Sequence, residues 1–307
     1  MHGLTMLTSS LLRRALTLGF ASFALLLAAC DSGEPDPAEA DKAAGRENVK
    51  AMSREHATDT DDPSEGASVP PRRPVVSERL PYAEVDEELV YGHFVFPADM
   101  VDPLPGVIVI HEWWGLTDGV RAMADRIASE GYVVLAVDLF GGKTATDVSV
   151  ARTLMLPVIE NPDVANENIR QAYQFLIDTG PAPSIAALGW SFGGNWALNT
   201  ALLFPDDLDA AVIYYGQITD NEEKLRPMNV PLLGIFGAND RGVTVETVRE
   251  FEGVLEALEK DYEIEVYDGV GHAFADPTSS NYNPAVADQA WAKVLEFLDS
   301  NLDTGPD

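Results

Sequence analysis

Positive charge is scarce in this sequence. Its 307 residues hold 20 Lys+Arg against 50 Asp+Glu, a formal net charge of -30, and only six of the cations are lysine. A surface of that sign repels phosphodiester backbones, so nucleic acid is excluded as a partner. So few lysines in so acidic a chain suggest a salt-rich environment. Cysteine is nearly absent. Cys30 is the single one, which rules out an intramolecular disulfide framework. No group of His, Cys and carboxylate residues has metal-ligand spacing, so neither a metal nor another cofactor is expected. There are no internal repeats. Apolar residues are plentiful, at 46% of the chain, enough for a sizeable core in one or two domains.

The one extended apolar run lies at the amino terminus. Arg13 and Arg14 precede a nearly continuous apolar stretch from Ala15 to Ala29, short for a membrane span. It ends in Leu27-Ala-Ala-Cys30, which resembles a bacterial lipoprotein signal, where a small residue precedes the cysteine that is lipidated and becomes the new first residue. Residues 1–30 are therefore expected to be a lipoprotein signal peptide. Cys30 would carry a lipid anchor with enough acyl chains for stable attachment. That implies a place in the bacterial cell envelope, facing the periplasm or the exterior, with the membrane as partner. Residues 31–80 carry 12 acidic and 7 basic side chains, six prolines and few large apolar groups. No helical or strand period persists there, so a disordered acidic, Pro-rich linker is expected.

From residue 81 to 303 the pattern changes. Apolar runs at 106–110, 133–138, 184–188, 210–215, 230–236 and 263–267 read as strands, and Tyr91-Gly-His-Phe-Val-Phe96, closed by Pro97, as an edge strand. Helical spacing appears at 118–129, 163–178, after Ser191, at 244–259 and at 285–300. Most of the strands are apolar throughout, as strands buried on both faces are. The alternation predicts an α/β fold: one domain with a mostly parallel central sheet, helices on both faces and no large cap domain.

Functional groups in such sheets sit beyond the carboxyl ends of the strands. Four candidates lie there: Glu112 after 107–110, Ser191 after 184–188, Asp240 after 231–236 and His272 after 263–267. Ser191 lies in Gly189-Trp-Ser-Phe-Gly193, a G-x-S-x-G turn between a strand and a helix, which exposes a serine hydroxyl beside a helix N-terminus. Serine is a poor nucleophile at neutral pH. Histidine, which titrates near neutrality, takes its proton and returns it to the leaving group, and a carboxylate on the far ring nitrogen fixes the tautomer. The order Ser191, Asp240, His272 is that of an α/β-hydrolase triad. His93 and His111 compete for the base role. His93 falls inside a strand, and His111 in a loop where an oxyanion donor is expected.

Gly189-Trp-Ser-Phe-Gly-Gly194, Phe236-Gly-Ala-Asn-Asp240, Gly271-His-Ala-Phe274 and His111-Glu-Trp-Trp-Gly115 together resemble the dienelactone hydrolase family, over roughly residues 88–300. The resemblance implies a compact α/β-hydrolase that cleaves a carboxylic ester or lactone. It assigns Glu112 to the family's buried glutamate, an auxiliary to the nucleophile, and the backbone N–H groups of Trp113 and Phe192 to the oxyanion hole. Trp114, Phe140, Lys143, Trp190, Tyr214, Tyr215 and Phe274 are candidates to line the substrate site. The sequence departs from the family in having Ser191 where its best-known members have cysteine. It has Asp276 where dienelactone-cleaving members have an arginine, and no arginine within Asp138-Leu-Phe-Gly-Gly-Lys143. These differences disfavour an anionic lactone and favour a neutral or larger ester or lactone. The expected protein is a monomeric serine hydrolase tethered outside the cytoplasm. The alternatives are a peptidase of the same fold and a non-catalytic envelope binding module.

Overall fold

The computed structural model describes residues 37–56 and 70–303. The expected signal peptide, with Cys30, lies outside them. Eight strands form one sheet: β1 (Val75–Val85), β2 (Glu88–Pro97), β3 (Gly106–Ile110), β4 (Val133–Val137), β5 (Ile185–Trp190), β6 (Ala210–Tyr214), β7 (Leu232–Gly237) and β8 (Tyr262–Tyr267). Their spatial order is β1-β2-β4-β3-β5-β6-β7-β8. β1, β2 and β4 pair antiparallel; every pair from β4–β3 onward is parallel. This is the mostly parallel sheet expected from the apolar runs.

The helices are α1 (Pro37–Glu55), α2 (Asp118–Ala128), α3 (Val148–Glu160), α4 (Pro162–Asp178), α5 (Phe192–Leu203), α6 (Glu222–Leu225), α7 (Val245–Ala257) and α8 (Pro284–Asn301). Side chains alternate across each strand, so one strand feeds two cores. Ile108 and Ile110 pack with Leu135, Ile169, Ala197 and Phe251, under α1, α3, α4, α5 and α7. Val107 and Val109 pack with Val134, Ile127, Trp291 and Phe297, under α2 and α8. Helices therefore cover both faces, and no separate cap domain is present among the described residues.

Two stretches of the expected linker are ordered. β1 begins at Val75 and pairs with β2 along its length, with a register shift between Pro81 and Ala83. It is an edge strand, where proline is tolerated; most of its side chains are exposed, so it lacks the apolar signature of the inner strands. The other is α1, of 19 residues, which packs against α3. Its apolar face consists of Val49 and Met52, both buried, beside Gly45, too sparse to register as a period amid acidic residues. The compact unit runs from Pro37 onward, so it starts well before residue 81. Among the described residues no helix is long and apolar enough to cross a membrane.

Candidate active site

Ser191 occupies the turn between β5 and α5 with φ 53° and ψ -114°, a left-handed conformation costly for a residue with a side chain. Glycines on either side make the turn sterically feasible. A Cβ on Gly189 would overlap the carbonyl of Gly193, and one on Gly193 would overlap the carbonyl of Ile110. The G-x-S-x-G pattern is thus a packing requirement: α5 rests directly on the ends of β3 and β5. Ser191 N–H donates to Tyr214 O at 2.9 Å, which ties the elbow to β6.

The three residues singled out from sequence converge. Ser191 Oγ lies 2.9 Å from His272 Nε2, and His272 Nδ1 lies 2.8 Å from Asp240 Oδ2. The second oxygen of Asp240 accepts from the backbone N–H groups of Gly242 and Val243, at 2.8 and 2.9 Å. The carboxylate is therefore held by three donors, the imidazole among them, so the Nδ1–H tautomer of His272 is required and Nε2 faces the serine. The loops bearing Asp240 and His272 touch because Gly237 leaves room: a Cβ there would stand 2.6 Å from Val270 O.

The rival histidines are accounted for. His93 Nε2 pairs with Asp125 at 2.7 Å, between β2 and α2. His111 is fully buried, with Nδ1 2.6 Å from Glu112 O and Nε2 accepting from Leu139 N–H at 3.0 Å. It holds the loop after β3 against the end of β4. Burial keeps its pKa below the ordinary value, so the ring is neutral. Asp138 steadies the same region by accepting from Phe140 N–H and Gly142 N–H, while its carbonyl accepts from Asn168 Nδ2 at 2.9 Å.

The other sequence candidates divide into groups. Trp113 follows β3, whose last residue, Ile110, pairs with Gly189 of β5, which places the loop after β3 beside the elbow. Phe192 opens α5, so its N–H lacks an intrahelical acceptor. Phe140 packs on His111 and Phe192, at 4.6 and 5.6 Å between ring centroids. Trp113 and Trp114 pack edge to face, centroids 5.0 Å apart. Tyr215 touches His272 directly, centroids 5.2 Å apart. Burial, then the negative charges of Glu112 and Asp276, push its phenol well above its ordinary pKa, so it is neutral. Glu112 is itself buried. By contrast Trp190, Tyr214 and Phe274 belong to the core packed under α2 and α8; Trp190 stacks on Tyr214 and Phe274 backs Tyr215. Lys143 is exposed and lines a surface cleft with Arg79, Tyr91 and Arg121, to which no triad residue contributes. Asp276 accepts from Thr278 N–H and Oγ1, both at 2.8 Å, and shapes the loop after His272.

One residue at the site escapes the sequence reading. His56, just after α1, is buried, and its ring lies 4.7 Å from that of Trp113 and 5.1 Å from that of His272. The available signal is the spacing of Gly45, Val49, Met52 and His56, which puts all four on one helical face.

A nucleophilic serine, its base and the orienting carboxylate, on a sheet of this topology, define a serine hydrolase of the α/β-hydrolase class. Within that class the chain belongs to the dienelactone hydrolase family, whose profile matches residues 91–302. With the triad, membership makes the protein a carboxylic ester or lactone hydrolase. It is similar to protein usf of Aquifex pyrophilus, 32% identical over 206 residues that span 64% of this chain and 89% of that one. Its fold also matches solved structures. A dienelactone hydrolase-like promiscuous phosphotriesterase from metagenomic libraries is 20% identical, with TM-score 0.68 over 74% of this chain and 99% of that one. Thermogutta terrifontis esterase 2, solved phosphoramylated by tabun, is 18% identical, with TM-score 0.57 over 75% of this chain and 97% of that one.

Proposed function

We propose that the protein hydrolyses a neutral ester or lactone through an acyl-enzyme on Ser191, held outside the cytoplasm by a lipid on Cys30. The catalytic part rests on one observation: the unbroken relay from Ser191 Oγ through His272 to Asp240, at 2.9 and 2.8 Å. As Ser191 Oγ attacks the carbonyl carbon, its proton passes to His272 Nε2. Asp240 stabilises the imidazolium that forms. The developing oxyanion is met by the N–H groups of Trp113 and Phe192, which supply charge stabilisation only as it appears. His272 then protonates the leaving alkoxide. A water deprotonated by the same nitrogen releases the acid and restores the serine. Glu112, buried beside Tyr215, is assigned an auxiliary part.

Neutrality of the substrate is supported by the surroundings. Glu112 and Asp276 act on Tyr215, which touches the base. A carboxylate-bearing substrate would meet like charge in a desolvated site. The envelope location is supported by the Arg13–Cys30 signal pattern. Ser191→Ala is the direct test. It should abolish hydrolysis of a short p-nitrophenyl ester and labelling by a fluorophosphonate, and full residual activity would refute the assignment. For the anchor, Cys30→Ala should move the protein from the membrane pellet to the soluble fraction. Unchanged partition would count against lipidation.

A further inference from the structure

The family profile begins at residue 91, yet a group from outside it sits in the site. α1 is seated on α3 through a close approach at Gly45, where a Cβ would overlap Ile159 Cγ2. Val49 and Met52 are buried in the core that holds Met155, Val158, Trp113 and Phe192. Arg46 and Glu160 pair at 3.4 Å on the exposed side. The last turn carries His56, whose N–H donates to Met52 O at 3.0 Å. Its ring tilts over Trp113, meets Trp114 edge-on at 6.3 Å, and stands edge-on to His272 at 5.1 Å between centroids. One imidazole thus bridges the base and the oxyanion-side loop. Beneath it Ser191 is 0% exposed and His272 4%.

We propose that α1 is a movable wall of the substrate site and that His56, its contact residue, determines which esters reach Ser191. This rests on the hydrolase reading above. With the His56 ring against both Trp113 and His272, Ser191 has no exposed surface. In this proposal the acyl or alkoxy group enters where that ring now lies between Trp113 and His272. Two features make displacement feasible. Among the described residues α1 is held by Val49, Met52 and His56 and by the exposed Arg46–Glu160 pair, which contributes little. The closed arrangement also leaves Trp113 Nε1 and Trp114 Nε1 buried without a hydrogen-bond acceptor among the described residues, an unfavourable state for indole donors. An ester oxygen entering beside them would be an acceptor, so the substrate itself favours the open position.

The same close approach allows a reversible lock. A Cβ at position 45 would lie 3.7 Å from Ile159 Cβ, within the window of about 3.5–4.5 Å that a disulfide requires. The test uses the full chain carrying Gly45→Cys and Ile159→Cys with Cys30→Ala, so that the new thiols are the only ones. Fluorophosphonate labelling of Ser191 and hydrolysis of p-nitrophenyl acetate are measured oxidised and after dithiothreitol. The oxidised form should react about tenfold more slowly or less, with the rate restored on reduction, a free-energy cost of about 1.4 kcal/mol or more. Equal rates in the two forms overturn the proposal, as does failure of the disulfide to form, because α1 then does not sit on α3. Absence of labelling in the unmodified protein refutes the hydrolase reading, and the proposal falls with it. A second arm addresses His56 itself. His56→Ala should raise kcat/KM for p-nitrophenyl benzoate relative to the acetate by roughly fivefold or more, a typical scale for a change in pocket size. An unchanged ratio removes His56 from the selection of substrate.

Discussion

Asp240→Asn changes one atom in a fully specified environment, so its outcome can be reasoned out before it is measured. Oδ1 of Asp240 accepts two backbone N–H groups, from Gly242 and Val243, and Oδ2 faces His272 Nδ1. An asparagine there has two orientations. With its NH2 toward Gly242 and Val243, donors would confront two buried donors. Each unsatisfied N–H costs about 1–3 kcal/mol, so this orientation is rejected. With its oxygen kept on those two groups, the NH2 points at His272 Nδ1, which must then become the acceptor. The ring proton moves to Nε2 and points at Ser191, so the base holds a proton where it should take one. The structure forces the wrong tautomer. Loss of that function in a triad costs about 10⁴ in kcat, or about 5 kcal/mol of transition-state stabilisation. The substitution is isosteric, so the fold should survive and KM should move little. The assay is steady-state hydrolysis of p-nitrophenyl acetate at neutral pH, alongside a thermal melt. A variant that keeps kcat within tenfold of wild type, with an unchanged melt, would show that Asp240 does not set the tautomer.

Two further outcomes follow from the site's supports. His111 is neutral in the fold because burial lowers its pKa, and its Nε2 accepts from Leu139 N–H, which a protonated ring cannot do. The unfolded ring takes a proton near its ordinary pKa of about 6.5, so stability is present above that value. It falls as pH drops below, by up to about 1.4 kcal/mol per pH unit until the folded ring titrates. His111→Gln keeps an acceptor for Leu139 and should flatten the fall in urea-derived stability below about pH 6.5, whereas curves parallel to wild type would contradict the assignment. Gly193→Ala should destabilise by about 3 kcal/mol, because its Cβ meets the backbone carbonyls of Ile110 and His111, which cannot swing away. For a domain of this size that lowers Tm by roughly 6–12 °C, and an unchanged Tm would deny the close seat of α5 on β3.

The inner sheet was legible in the sequence because burial on both faces leaves no polar alternation to misread. The run Gly106-Val-Ile-Val-Ile110 reads as a strand over the same residues that form β3. The elbow was legible for a steric reason, since only glycine fits at 189 and 193. β1 was hidden because an edge strand with exposed side chains and a proline shows neither a continuous nor an alternating apolar pattern. α1 was hidden because its contacts rest on Gly45, Val49 and Met52 within an acidic stretch, and one absent side chain matters as much as the two present. The lining aromatics were only half legible. Trp190 and Tyr214 adjoin site residues in sequence, but strand alternation turns them into the core under α2 and α8. Trp113 and Tyr215, in loops beyond strand ends, do reach the site's surroundings. Proximity in sequence to a catalytic residue predicts proximity in space only where the chain has left the strand.

The serine at the elbow and the charges around it form one arrangement. A thiolate nucleophile carries its charge before reaction, whereas a serine develops charge only as its proton leaves. Serine chemistry therefore depends more on stabilising the ion pair of imidazolium and oxyanion. Asp240 lies directly on the ring, and Glu112 and Asp276 act on Tyr215 beside it. Asp240, on the far ring nitrogen, is the carboxylate placed to stabilise the imidazolium. The same negative charges oppose the oxyanion, so its stabilisation must come from donors close enough to dominate, such as the first N–H of α5. They also oppose any anionic substituent on the substrate. An aspartate at position 276, where the resemblance to dienelactone-cleaving members leads to an arginine, offers no attraction for a carboxylate on the substrate. The neutral ester proposed above as substrate rests on that absence of attraction.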